Sequence, residues 1–295
     1  MFKMRGLFGE KADETKDSMS EQDREDLKRI KSHVLARLEE VPVGTDPFYH
    51  MWVDRLFPDD FYEELLNHML EHKDEKKMQP RLQDNPEFAN RRFNLVGNDH
   101  PTVRKFHAVW SDPEVMLACF RNFYSGGAEE LSQSARIHNE FEYVYCQPGR
   151  FQNIHVDIPA KVLSFVFYLP SFEVSEDDEK KNATILYDKN LDPCYAARFR
   201  RNSVCIFAPH FYSYHGFSST IERDALVMFL VEPQEIDRWK RLRDHETAPF
   251  EGILQAIDEK LERFTLAEYG DDPDRRKAER EASRINAPKG RVLVD

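Results

Sequence analysis

The chain has 295 residues, of which 40% are hydrophobic and 12% aromatic, so it can bury the core of one large domain or of two small ones. Its formal net charge of −12 argues against a nucleic-acid partner and against an anionic membrane surface, because phosphate contacts require clustered Lys and Arg. The longest apolar runs are too short to span a bilayer, and the N-terminal residues lack the apolar centre of a secretory signal, so we expect a cytoplasmic protein.

The first part of the chain has a helical pattern. Residues 1–19 are polar and mixed in charge, and we expect them to form a flexible tail. Hydrophobic residues then recur at helical spacing, which predicts helices at 20–41, 59–72, 101–110 and 112–124. We therefore expect residues 20–130 to form an N-terminal helical region that packs on the core, where it either lines a pocket or forms a homodimer interface.

From residue 131 the pattern changes to that of short strands. Five segments are rich in Val, Ile, Phe and Tyr, and turn residues separate them: ARIHNEFEYVY, VLSFVFYLP, ATILYD, SVCIFAP and DALVMFLVEP. Such a series predicts a sandwich, a jelly roll or a barrel over residues 131–233.

Two further segments lie within and after this region. The acidic segment 173–182 is interpreted as a solvated surface loop, and the alternative is a lid over a substrate. Residues 234–295 return to a helical pattern and end in a charged tail. The apolar stripe of this predicted C-terminal helix consists of Ile253, Ile257, Leu261 and Phe264.

Three segments match the spacing His-x-Asp/Glu, which places two metal-ligand side chains on one face of a strand. They are His72-Lys73-Asp74, His138-Asn139-Glu140 and His155-Val156-Asp157. The first lies at the charged end of a helical pattern, and the second opens a strand without a glycine-containing turn before it. The third follows Pro148-Gly149 and lies between two predicted strands, where both side chains can converge inside a barrel. We therefore favour the third segment as a metal-binding pair.

Two neutral imidazoles and one carboxylate bind ferrous iron on one side and leave three positions for a co-substrate and O2. His155 and Asp157 supply two of these ligands, so the third must come from a distant strand. The segment SVCIFAPHFYSYHGF offers His210 and His215. We favour His215, because His210 directly follows Pro209 in a predicted turn.

Arg223 begins the last predicted strand, and alternation places it on one face with Ala225, Val227 and Phe229. An arginine on an apolar face is unfavourable unless it has an anionic partner, and the planar guanidinium group suits a carboxylate. Two interpretations follow. Either Arg223 binds a carboxylate ligand, or it lies at an exposed strand end and pairs with Glu222 or another acid.

In the order and spacing of their motifs, residues 143–233 resemble the iron(II)/2-oxoglutarate-dependent dioxygenases, especially the prolyl-4-hydroxylase-like branch. The resemblance rests on Gly149 six residues before His155, on the HVD motif, on the strands SFVFYLP and NSVCIFAP, on YHGF and on the arginine that begins the final strand. It implies an α+β fold whose core is a double-stranded β-helix, or jelly roll, flanked by N- and C-terminal helices.

The resemblance also implies a set of roles. His155, Asp157 and His215 would bind Fe(II), and Arg223 would bind the distal carboxylate of 2-oxoglutarate with help from Tyr145 or Tyr143. The implied activity consumes O2 and 2-oxoglutarate, releases succinate and CO2, and hydroxylates a C–H bond of a small molecule or of an amino-acid or peptide-type substrate. Two other interpretations stay open: a cupin-like metal enzyme that does not use 2-oxoglutarate, and a jelly-roll binding protein without catalysis.

Overall fold

The structure is a computed structural model, and it describes residues 20–73, 79–80, 91–95, 98–124, 127–134, 137–157, 161–209 and 212–231. The predicted tail at 1–19 and the predicted C-terminal helix and tail at 234–295 lie outside the described residues. Among the helices described, none is long and apolar enough to cross a membrane.

Helices precede most of the strands along the chain. The described helices are α1 (Glu21–Glu40), α2 (Asp59–Glu71), α3 (Pro101–Trp110), α4 (Pro113–Phe123), α5 (Ala128–Ser132) and α6 (Glu176–Lys181). The described strands are β1 (His50–Val53), β2 (Gln79–Pro80), β3 (Arg91–Asn94), β4 (His138–Cys146), β5 (Phe151–His155), β6 (Lys161–Tyr168), β7 (Thr184–Tyr187), β8 (Pro193–Ala197), β9 (Ser203–Phe207), β10 (His215–Ser218) and β11 (Arg223–Val231).

The strands form two antiparallel sheets. The larger sheet has the order β1-β9-β6-β11-β4-β3-β2, and the smaller sheet has the order β5-β10-β7-β8. This pairing confirms the expected α+β fold with a jelly-roll core. The larger sheet also takes in β1, β2 and β3, which precede residue 131, so the helical region contributes strands to the core.

The N-terminal helices begin at residues that satisfy their free backbone N–H groups. The Ser20 hydroxyl accepts a hydrogen bond from the N–H of Asp23 at the start of α1, and the Asp112 carboxylate accepts one from the N–H of Glu114 at the start of α4. Each of α3 and α4 carries proline in its first turn, where a missing N–H costs nothing. All four helices predicted before residue 130 are therefore present.

The outer face of the large sheet packs against these helices through aromatic side chains. Phe167 on β6 lies 5.2 Å from Phe106 and 5.4 Å from Trp110, measured between ring centroids. Aromatic side chains bury large apolar areas, so this layer contributes much of the hydrophobic stabilisation. The inner face of the same sheet is therefore left to face the small sheet, where the polar site lies.

The acidic segment 173–182 contains a short helix, whereas the sequence predicted a loop. Ser175 caps α6 by accepting a hydrogen bond from the N–H of Asp178, and the acids of the first turn suit the positive end of the helix dipole. Glu179 faces inwards and forms an ion pair with Arg200 at 2.8 Å. The segment is thus tied to the connection between β8 and β9.

Candidate metal centre

His155 and His215 face each other across two neighbouring strands of the small sheet. His155 ends β5, His215 begins β10, and the two residues are direct partners in the antiparallel register. Asp157 follows two residues after β5. One ligand atom from each of the three residues lies within 4.8 Å of the others, and all three side chains are buried. The structure therefore brings together the two histidines and the carboxylate that the sequence predicts as a metal site.

A glycine turn presents the first histidine. Gly149 has φ of +79°, a conformation in which a side chain would be strained. Its N–H donates to the Ser219 carbonyl at 2.6 Å, and the N–H of Ser219 donates back to the Arg150 carbonyl at 2.8 Å. The turn before β5 is thereby fixed to the end of β10, which sets the register in which the two histidines meet.

Two donors from β6 hold the Asp157 carboxylate. The Lys161 ammonium donates to Oδ1 at 2.6 Å, and the Ser164 hydroxyl donates to Oδ2 at 2.5 Å. Burial alone would raise the pKa of Asp157. The positive charge of Lys161 and the neighbouring histidines lower it by more, so the pKa lies below its usual range. The carboxylate is therefore ionised and can bind a cation.

The histidine rings are oriented by their neighbours. His215 Nδ1 lies 2.9 Å from the Ser213 carbonyl, so it carries the proton and donates, and Nε2 presents its lone pair 4.0 Å from Asp157 Oδ2. The ring packs 4.5 Å from Phe207 and 4.2 Å from the His155 ring, measured between centroids. An imidazole nitrogen fixed in this way is a ready metal ligand.

Arg223 lies in the same interior and is only 2% exposed. Its Nε donates to the Asn182 carbonyl at 3.1 Å, and its Nη2 donates to the Thr184 hydroxyl at 2.9 Å. Phe217, two residues after His215, covers the guanidinium at 3.7 Å from its ring centroid. Among the described residues, no carboxylate forms an ion pair with Arg223.

The alternative of an exposed arginine paired with Glu222 is therefore wrong. Glu222 lies beside Lys73 instead, with 2.8 Å between Lys73 Nζ and Oε2. Burial lowers the pKa of Arg223 from its ordinary value, yet a guanidinium remains charged near neutral pH. The interior thus contains a cation with two neutral hydrogen-bond partners.

No protein-family model and no curated protein matches the sequence. Among solved structures, a prolyl-4-hydroxylase from Pseudomonas putida aligns with a TM-score of 0.52 and 13% identity, over 68% of this chain and 98% of that chain. A prolyl 4-hydroxylase from Phytophthora capsici aligns with a TM-score of 0.50 and 14% identity, over 86% of this chain and 83% of that one. The chain has the prolyl-4-hydroxylase fold. The fold implied by the sequence resemblance is therefore confirmed.

Within the prolyl-4-hydroxylase fold, Tyr143 and Tyr145 lie on the sheet face opposite to Arg223. On β4 they pair with Leu226 and Asp224, whereas Arg223 pairs with Cys146. The Tyr143 hydroxyl donates to Asp224 at 2.5 Å, and the Tyr145 hydroxyl donates to Glu222 at 3.2 Å. The structure does not bring either tyrosine to the guanidinium, which differs from the sequence-based expectation.

Tyr168 lies beside Arg223, in the position for which the sequence resemblance implied Tyr145 or Tyr143. Its ring centroid lies 5.3 Å from the guanidinium, and its hydroxyl donates to the Thr184 hydroxyl at 2.7 Å. Ser164, Val166 and Tyr168 alternate on the inner face of β6, since they pair with the inner residues of β11. Ser164 and Tyr168 are four residues apart and therefore lie on one face of a mostly apolar strand, and this was the signal that sequence reasoning missed.

The other metal-ligand candidates lie elsewhere. His210 and Asp74 lie outside the described residues. His138 begins β4 and pairs with Val231, at the opposite end of β11 from Arg223. His72 caps the C-terminus of α2.

The donor set of the centre fits ferrous iron. Two imidazole nitrogens and one carboxylate oxygen can occupy one face of a metal ion and leave the other face open. All four cysteines are free thiols, and the three ligand-type side chains include none of them, so a thiolate-rich zinc or iron–sulfur site is not formed here.

Proposed function

We propose that the protein is an Fe(II)/2-oxoglutarate-dependent oxygenase that hydroxylates a substrate C–H bond. The observation that carries this proposal is the juxtaposition of a buried His-Asp-His cluster with a buried arginine in one jelly-roll interior. His155, Asp157 and His215 would hold the iron, and Arg223 would hold the co-substrate.

The charge of the interior favours a dicarboxylate ligand. Leaving a charged group buried without a counter-charge costs several kcal/mol, roughly 3–5 in measured cases. Arg223 has two neutral hydrogen-bond partners, and a ligand carboxylate would supply the missing negative charge. 2-Oxoglutarate carries one carboxylate for Arg223 and a keto acid group for a metal ion, so its two ends match the two halves of the site.

Thr184 and Tyr168 would complete the carboxylate pocket. Thr184 already accepts from both Arg223 and Tyr168, so the two donors converge on one oxygen. A bound carboxylate would accept charge-assisted hydrogen bonds from the Arg223 guanidinium, in place of Thr184 or in addition to it. The Tyr168 hydroxyl also lies 3.1 Å from the Ala197 carbonyl, so its single proton is shared between the two acceptors.

When bound, Fe(II) supplies the O2-activating chemistry by which 2-oxoglutarate is decarboxylated to succinate and CO2 while a substrate C–H becomes C–OH. The protein's own residues orient the reactants and exclude water. Phe207 lies against His215 and Phe217 covers Arg223, so apolar rings line the site beside a metal ligand and beside the arginine.

The substrate we propose is a small molecule or an amino acid or peptide-type compound. The two solved structures are prolyl-4-hydroxylases, and we extend to this chain only the hydroxylation of a C–H bond. A cupin-like metal enzyme would not require Arg223, and a binding protein without catalysis would require neither the arginine nor the metal.

The test is an anaerobic titration of the metal-free protein with Fe(II) and then with 2-oxoglutarate. We expect the weak visible charge-transfer band of a chelated keto acid in the wild-type protein and no band in His155→Ala. In Arg223→Gln we expect half-saturation at roughly 10–100 times more 2-oxoglutarate, from the loss of a charge-assisted hydrogen bond. Arg121→Gln is the matched control, because Arg121 forms an exposed ion pair with Glu129.

Three outcomes separate the interpretations. If iron binds and no band forms, the 2-oxoglutarate assignment is wrong and the cupin-like enzyme is favoured. If no metal binds, the protein is a binding protein. If the band forms, succinate release then serves to screen for the substrate.

A further inference from the structure

Three histidines cluster outside the candidate iron centre, at the C-terminal end of α2. The His68 and His72 rings lie 4.8 Å apart, and the ring of His100, the residue before α3, stacks on His68 at 3.6 Å. The facing atoms are the two Nε2 nitrogens, which are 3.3 Å apart. The iron centre uses none of these residues.

The spacing of the pair suits one metal ion. Residues four apart lie on the same face of adjacent helical turns, and histidines at this spacing on a helix bind zinc in metalloproteases. Zinc–nitrogen bonds of about 2.0–2.1 Å in a tetrahedral arrangement place two ligand nitrogens about 3.3 Å apart. The distance between His68 Nε2 and His72 Nε2 equals this separation.

His68 uses Nε2 for a hydrogen bond with His72 Nε2, which coordination of both atoms to a metal ion would replace. Its side chain is only 6% exposed, and its buried Nδ1 lies 3.5 Å from the Glu71 carboxylate. At this distance Nδ1 makes no hydrogen bond, but the negative charge of Glu71 favours a proton on Nδ1, which is the tautomer that leaves the Nε2 lone pair for a metal ion. Burial, and then the nearby His100 and His72, lower the pKa of His68, so the ring is neutral near pH 7.

We propose that His68 and His72 bind a divalent transition-metal ion of the zinc class, with Glu71 positioning His68 and water completing the coordination. The site would fasten the end of α2. The next residue, Lys73, bonds to Glu222 and Asp224, the two neighbours of Arg223 in the chain. A metal ion here would therefore stabilise the helix end that holds the beginning of β11.

The test uses the full chain with the iron centre removed by His155→Ala and His215→Ala. Calorimetric titration with zinc chloride should show one saturable site in this background. Adding His72→Gln should abolish that site, and adding Glu71→Gln should weaken it about tenfold. Adding His33→Gln should change nothing, because His33 on α1 contacts the Arg55 carbonyl and lies apart from the cluster.

A second measurement does not depend on altering the ligands. In the background chain labelled with 15N-histidine, zinc should shift the Nε2 resonances of His68 and His72. The proposal is overturned if zinc titrates no site, if the site survives His72→Gln, or if the shifted resonances belong to other histidines.

Discussion

Asp157 shows how single residues prepare the centre before any ion arrives. It is buried, and a buried carboxylate is normally driven towards its neutral form. Lys161 and Ser164 oppose this by donating to its two oxygens. The Lys161 ammonium lies 3.8 Å from the Phe229 ring centroid, so an aromatic face holds it in place as well.

Replacing Lys161 with Met should weaken metal binding. Without the ammonium group, the pKa of Asp157 rises, because burial is no longer opposed by a neighbouring positive charge. The carboxylate also loses one of the contacts that orient it, and such losses typically cost 10–100-fold in metal affinity. Titration with Mn(II) should show this drop, while Lys181→Met should bind as the wild type does, because Lys181 pairs with Asp177 at the surface. An unchanged affinity in Lys161→Met would contradict this role.

At the scale of elements, α6 positions the arginine. Asn182, at the C-terminus of α6, accepts hydrogen bonds at its side-chain oxygen from the N–H groups of Thr220 and Ile221, at 2.7 and 3.3 Å. Its own carbonyl accepts from Arg223. One buried residue therefore joins the helix, the turn after β10 and the start of β11.

Replacing Asn182 with Ala should destabilise the protein by about 2–4 kcal/mol, because two backbone N–H groups lose their buried acceptor. The turn that leads into Arg223 would loosen, so half-saturation with 2-oxoglutarate should also rise. Urea unfolding and the keto acid titration measure the two effects. Lys181→Ala, one residue earlier and exposed, should leave both unchanged. An Asn182→Ala protein with wild-type stability and wild-type affinity would contradict this role, because the turn after β10 would then be stable without the Asn182 side chain.

The same scale explains what the sequence could and could not predict. The HVD motif and the alternating pattern of each strand are formed by residues that are close together in the chain. The sequence alone was therefore sufficient to find His155, Asp157 and five strands. The partners of Arg223 lie 39 and 41 residues earlier in the chain, and only the packing of the small sheet against the large sheet brings them together. Register also decides that Tyr168 rather than Tyr145 faces the guanidinium, because a shift of one residue reverses the faces.

The short helix α6 could have been predicted. Ser175 is followed three residues later by Asp178, and this spacing is the local signal of a helix N-terminus. The acidic composition of the segment favoured the prediction of a solvated loop. The capping spacing was present in the sequence, but the prediction gave more weight to composition.

At the scale of the whole molecule, the large sheet divides an aromatic outer layer from a polar interior. His50 belongs to the inner side through β1, whose register places it opposite Phe207. Its ring lies 4.1 Å from the Tyr195 ring, measured between centroids, and its Nδ1 lies 2.8 Å from the Phe48 carbonyl. A neutral ring fits this setting, whereas a charged ring would be poorly solvated.

Acid should therefore reduce global stability before the carboxylates titrate. Burial lowers the pKa of His50 below its ordinary value of about 6.5. At a pH between the pKa of His50 in the folded protein and its ordinary pKa in the unfolded chain, the unfolded chain binds a proton that the folded protein does not. The contribution of the neutral His50 ring to the free energy of unfolding is therefore fully present above about pH 6.5 and decreases as the pH falls. One such histidine changes the free energy of unfolding by at most about 1.4 kcal/mol per pH unit.

Urea unfolding at pH 7.5, 6.5 and 5.5 measures this slope. In His50→Gln the free energy of unfolding should change less across the series than in the wild type, whatever its absolute value, because the titrating group is gone. His33→Gln controls for the removal of a histidine outside the jelly-roll interior, and its slope should match that of the wild type. Equal slopes in His50→Gln and the wild type would mean that the folded protein accommodates a charged ring at this position.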